Sequence, residues 1–160
     1  MDILIGSLIK RIRIPRLSVH FYYFRGMSLS KNEKLAQDLA MLDAQHQAIE
    51  AILTDLEDLV IRQGPIGEQE AKLKELVNIL HLHFNCENIL FAEFGYPHIT
   101  PHMKEHKRML EEINMQYQMI KAGGKILSSM LTDYLLYLDK IHIAQMDQDY
   151  IDYFRKSLDR

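Results

Sequence analysis

Five histidines and two carboxylates run through this chain in one order: His46, then His83 and Glu87, then His102 and His106, then His142 and Asp147. The spacings H-x-x-x-E and H-x-x-x-H each set two polar side chains one turn apart on the same helical face. A single such pair is common on surface helices, whereas a set spread over four segments calls for a joint explanation. Imidazole nitrogens with carboxylates able to bridge suit iron, manganese or zinc, and two metals sharing carboxylates between four facing helices is an established way to build a bundle-core site.

The segments that must position these residues read as four amphipathic helices, because apolar residues recur at three and four rather than alternating by two. The predicted fold class is therefore all-α. The first helix is predicted from about residue 38 to 62, with Asp38 as its cap and Leu39, Leu42, His46, Ile49, Leu53, Leu56 and Val60 on one stripe. Gly64-Pro65 ends it. The second runs from about 67 to 94, turning Leu76, Ile79, Leu80, His83, Glu87, Leu90 and Phe94 inward, with Gly95 as its stop. The third opens at Thr100 as cap with Pro101 in the first turn and carries His102, His106, Met109, Ile113, Tyr117 and Ile120 to Gly123-Gly124. The fourth begins near Ser128 or Ser129 with the stripe Leu131, Leu135, Leu138, His142 and Gln145. The five candidate histidines and Glu87 thus fall on otherwise apolar stripes. A core-facing histidine or glutamate costs several kcal/mol unless paired, hydrogen-bonded or metal-bound, so four such stripes meeting in one interior require a common partner.

The other polar candidates lack this placement. His81 precedes His83 by two residues, about 200° around a helix, and is expected to be solvated, as are His20, His98 and Glu93. Cys86 reads as a small core residue close to the site.

The order and surroundings of these residues resemble hemerythrin. Leu42-Asp43-Ala44-Gln45-His46 is similar to the family's first-helix signature and His83-Phe84-Asn85-Cys86-Glu87 to its second. Gly95-Tyr96-Pro97 before His102-x-x-x-His106, and His142-Ile143-x-x-x-Asp147-x-x-Tyr150, complete a resemblance that covers Leu39 to Tyr150. It implies an up-down-up-down antiparallel four-helix bundle with a non-heme di-iron centre. One iron would be held by His102, His106 and His142, the other by His46 and His83, with Glu87, Asp147 and an oxo or hydroxo group bridging them. The iron with fewer histidines is left a ligand short, and that position would take dioxygen reversibly, for storage, transfer or sensing. Leu39, Leu42, Leu135 and Leu138 are the candidate apolar wall. The chain departs from the family pattern at Leu138, where tryptophan is usual, at Asn88, where a second acid stands, and at Phe91, where methionine stands; these changes bear on pocket size and oxygen affinity. Alternatives within the same chemistry are a di-iron enzyme handling peroxide or nitric oxide or repairing iron centres, and an iron reservoir. The histidine-rich set weighs against the enzyme, since oxygen-activating di-iron sites of ferritin type use more carboxylates.

Periodicity and resemblance disagree on the last carboxylate. Asp147 is five residues from His142, about 140° around an ideal helix, whereas Asp149 is within about 20° but about 10 Å further along the axis. The family pattern selects Asp147, which then requires local unwinding of the helix.

At 160 residues, 48% hydrophobic and 26% charged, the chain is one domain's length with enough apolar residues for a real core. Its net charge of -3 argues against a general nucleic-acid binder. The single cysteine excludes an intrachain disulfide and fits a reducing compartment, with cytoplasm as the default. Residues 1–26 form a basic extension of net charge +4, with Lys10, Arg11, Arg13, Arg16 and Arg25 against Asp2. Its apolar run precedes the basic cluster, the reverse of a signal peptide, and it is too short to span a membrane as read. It is expected to be a poorly ordered extension, or an upstream start ahead of Met27, with residues 27–160 as the hemerythrin-like four-helix domain; surface binding to membranes is the minor reading.

Overall fold

A computed structural model describes residues 29–124 and 128–158. Among them the chain is helical throughout: α1 Lys31–Ile61, α2 Ile66–Phe94, α3 Ile99–Lys121, α4 Ser128–Leu136, a π-helix Tyr137–Asp147 and α5 Gln148–Leu158. The last three follow one another without a break and make up the fourth helix of a bundle. The basic extension, residues 1–26, lies outside the described residues.

Local chemistry sets the ends. Ser30 caps α1: its hydroxyl accepts from the Glu33 amide, and the Glu33 carboxylate accepts from the Ser30 amide at 2.8 Å. Asp38 is therefore not the cap but an interior, half-buried residue, because the apolar stripe starts a turn earlier at the buried Leu35. α2 stops where predicted. Gly95 adopts φ 77°, and its amide and that of Tyr96 both donate to the Phe91 carbonyl, a left-handed ending that a Cβ would strain. α3 starts one residue before the predicted cap: His98 is its N-cap without a side-chain bond, and Thr100 and Pro101 both lie in the first turn, where proline's missing donor costs nothing. Ile99 draws the helix back to this start by packing on the apolar cluster around Leu35, Leu42 and Phe91.

The fourth helix differs most from expectation. Eleven residues close i to i+5 turns instead of i to i+4. The wider turn displaces Gln145 from the predicted inward stripe; it is exposed, and its amide donates to the Lys140 carbonyl at 3.1 Å. Leu131, Leu135 and Leu138 remain buried as predicted.

α1 packs on α2, α2 on α3, and the fourth helix on α1. Two apolar clusters fill the interior. One gathers Ile49, Leu56, Leu76, Leu80, Phe84, Met109 and Leu138; the other gathers Leu35, Leu42, Leu90, Phe91, Tyr96, Tyr150 and Phe154. No helix among the described residues is long and apolar enough to cross a membrane.

Candidate metal centre

Between these two clusters the structure brings together the seven residues singled out in the sequence. Each is buried: Glu87, His83, His142 and Asp147 are fully so, and His46, at 7% exposed, is the most open. They form two overlapping groups, Glu87, His102, His106, His142 and Asp147 in one and His46, His83, Glu87 and Asp147 in the other. Within each group the donor atoms lie within 4.8 Å of one another, and both carboxylates belong to both groups.

Each helix contributes through its own repeat. His83 and Glu87 are i and i+4 on α2, as are His102 and His106 on α3, so each pair projects from one face. His142 and Asp147 are i and i+5, a spacing that an α-helix would splay apart and the π-helix closes, leaving His142 Nε2 3.5 Å from Asp147 Oδ1. Asp149 lies in α5 and is exposed.

The donors converge without pairing off. Glu87 approaches His83 at 3.3 Å, His102 at 3.5 Å and His106 at 2.9 Å; Asp147 approaches His46 at 3.1 Å and His102 at 3.2 Å. Only the His46–Asp147 approach has hydrogen-bond geometry. The Nε2 atoms of His83, His102, His106 and His142, both Glu87 oxygens and Asp147 Oδ1 are buried with no hydrogen-bond partner. A buried polar atom left unpaired costs about 1–3 kcal/mol, so seven aimed at shared points rather than at each other are the arrangement expected of ligands to a cation. The donor set, imidazole nitrogen with carboxylate oxygen, fits iron, manganese or zinc.

The electrostatics point the same way. Burial disfavours charge on Glu87, but the imidazoles of His83, His102 and His106 outweigh it and hold its carboxyl well below the usual range. Burial and the neighbouring Glu87 charge oppose ionisation of Asp147, yet the imidazoles of His102, His46 and His83 beside it outweigh them and hold its carboxyl below the usual range. Burial opposes charge on His83 and His102 as well, but the two carboxylates raise each to about 9. His142 goes the other way, lowered to about 4 chiefly by burial, and His106 is lowered for the same reason. Two carboxylates held ionised in a buried core therefore attract positive charge, from protons or from metal.

The wall around the donors is largely aromatic. Phe84 stacks on His106 with ring centroids 4.0 Å apart and meets His142 edge-on at 5.3 Å; Phe91 meets His102 at 4.9 Å. Tyr150, fully buried, packs against Phe91 and His102. Of the leucines expected to form the wall, Leu42, Leu135 and Leu138 are buried and Leu39 partly so, each within one of the two flanking clusters. The sequence also left Gln45 without a role, although its Oε1 lies 3.0 Å from His83 Nδ1. Its position immediately before His46 was the only signal. His81 and His98 are exposed, and the exposed Glu93 pairs with Lys34. Cys86 is half-buried, its sulfur accepting from Gln45 at 3.6 Å.

No family model matches the chain, and no solved structure does. Among curated proteins, a bacteriohemerythrin of Campylobacter jejuni subsp. jejuni strain 81-176 is 27% identical over 134 residues, 80% of this chain and 97% of the relative. Bacteriohemerythrins of strains 81116 and NCTC 11168 are 26% identical over the same spans. A buried cluster of five histidines and two carboxylates, in a helical chain that matches these proteins over nearly their whole length, supports a hemerythrin-like family for this chain.

Proposed function

We propose that this chain binds dioxygen reversibly at a non-heme di-iron centre. In this reading His102, His106 and His142 would hold one iron and His46 and His83 the other, with Glu87 and Asp147 available to both. The observation that carries it is the convergence of unpaired, buried donor atoms into two groups that share both carboxylates. The likeness to bacteriohemerythrins supports iron as the metal. The reduced iron pair would supply the electrons that hold dioxygen and recover them on its release.

The protein's own groups have three tasks. The imidazoles and the two carboxylates fix the positions of the metals, and their histidine-rich composition keeps the charge of the site low. The group containing His46 and His83 has fewer histidines than the other, so a metal held there would be left a ligand short and could take a small ligand. Phe84, Phe91 and Tyr150 close the interior to water, so that a bound ligand leaves as it came. We read the four helices as running up-down-up-down, because residues 62–65 and 95–98 leave only short connections between consecutive helices. We also take the protein to be cytoplasmic, in keeping with its lone cysteine.

The test is to reduce the purified protein without air, admit air, and follow its visible and near-ultraviolet spectrum with its iron content. Two irons per chain and charge-transfer bands that disappear again when oxygen is removed are expected. One metal per chain, or zinc alone in protein from iron-replete cells, would sink the di-iron assignment. Two irons with irreversible oxidation and turnover of peroxide or nitric oxide would favour an enzyme.

A further inference from the structure

Gln45 bridges the candidate centre and Cys86. Its Oε1 lies 3.0 Å from His83 Nδ1, and its Nε2 donates to Cys86 Sγ at 3.6 Å. Gln45 comes from α1, whereas His83 and Cys86 stand three residues apart on α2, so the amide spans two helices. The two ends of an amide are not interchangeable: the oxygen only accepts and the nitrogen only donates. With Nε2 turned to the sulfur, Oε1 faces the ring, and His83 Nδ1 must carry a hydrogen. In the neutral ring, the form that can bind a metal, that proton leaves the lone pair on Nε2, the atom 3.3 Å from Glu87 Oε1 and 4.0 Å from Asp147 Oδ2. Neither ring nor amide can exchange this bond freely for one to water, since His83 is fully buried and Gln45 is 9% exposed. Elsewhere in the cluster, His106 Nδ1 and His142 Nδ1 are buried with no partner at all.

We propose that Gln45 is a positioning residue for His83, accepting its Nδ1 hydrogen and aiming its Nε2 at the position shared with His46, Glu87 and Asp147, while the Cys86 thiol holds the amide the right way round. The assignment rests on the two-iron reading given above. It makes the two metal positions unequal, because Gln45 acts on the group with His46 and His83 and forms no hydrogen bond with His102, His106 or His142.

The full chain, loaded with ferrous iron without air, is to be competed with a ferrous chelator while iron release is followed. Wild type is expected to release two irons. In Gln45→Met, which keeps length but removes the acceptor, one iron should be lost about 10–100-fold more readily, the range typical of partners behind a metal ligand, and the other should be held as before. Gln45→Glu, which keeps an acceptor, should restore retention towards wild type. Cys86→Ala should weaken the same iron, by less. A second readout uses zinc-loaded, diamagnetic protein: the His83 Nδ1 hydrogen should give a slowly exchanging nitrogen-correlated signal that Gln45→Met abolishes. A purely structural role would weaken both irons together and leave that signal in place, which overturns the proposal. If Gln45→Met does not fold, unaltered iron release in Cys86→Ala together with full retention in Gln45→Glu supports only the acceptor role, and unaltered release with lost retention in Gln45→Glu overturns it. Wild type without metal removes the two-iron reading and this assignment with it; two irons in wild type and in Gln45→Met, equally held, remove the assignment alone.

Discussion

Glu87 and Glu93 stand six residues apart on α2 in opposite surroundings. Glu87 is fully buried with three imidazoles around it, whereas Glu93 is exposed and paired with Lys34. Removing the first deletes a donor shared by both groups; removing the second deletes a surface ion pair worth about 1 kcal/mol or less. Glu87→Ala is therefore expected to lower iron affinity on the order of 100-fold or more, beyond what loss of an outer partner costs, and Glu93→Ala to leave it unchanged. Iron per chain after chelator challenge measures both, and equal losses would mean that α2 presents the other face. These two glutamates were separable in the sequence, because a six-residue spacing cannot share a helical face while His83 and Glu87 must. Gln45 was not separable. Its bond to His83 crosses from α1 to α2, and no spacing within one helix encodes which residues meet across two. Phe84 and Phe91 were similarly silent: their apolar character was plain, but that one stacks on His106 and the other meets His102 edge-on depends on how the helices pack.

At the scale of the element, the first three helices were legible because their apolar repeats follow 3.6 residues per turn. Their starts were less so. Ser30-Lys31-Asn32-Glu33 carries the capping-box signature, but it precedes the apolar stripe by a turn of polar residues, and Asp38 lay nearer the first leucines. The fourth helix was the hardest, since a repeat tuned to α-geometry cannot announce a π-helix. The only trace was the conflict between a five-residue spacing and a shared site. In the structure the eleven-residue π-helix brings Asp147 into the cluster and leaves Asp149 exposed on α5. Asp147→Ala should abolish stable iron loading at both positions, because this carboxylate belongs to both groups. Asp149→Ala should keep two irons and the same spectrum. Iron loss in Asp149→Ala with retention in Asp147→Ala would require a fourth helix built otherwise.

On the whole molecule, the polar cluster lies between two apolar ones, so the site is part of the core rather than an attachment to it. Two consequences follow from that position. Every candidate donor lies between His46 and Asp147, and a chain begun at Met27 is expected to load iron and oxygenate as the full chain does; loss of iron on this truncation would give the basic extension a part in the site. The larger consequence concerns metal removal. The apolar clusters do not depend on a cation, and the protons drawn to His83 and His102 offset the two carboxylates, so the metal-free chain should remain folded. Yet buried donors with no partner burden the folded state and not the unfolded chain, where water satisfies them. Metal bound only by the folded form adds stability by mass action, about 3 kcal/mol when free metal is about a hundredfold above its dissociation constant. For a chain of this size that corresponds to a rise of about 5–10 °C in melting temperature. Thermal unfolding of iron-loaded and chelator-treated protein, at one pH and one protein concentration, should show this gap, and Glu87→Ala should melt at the same temperature with and without added iron. A wild-type chain whose melting is indifferent to iron would mean that the convergence of these seven side chains serves something other than a metal.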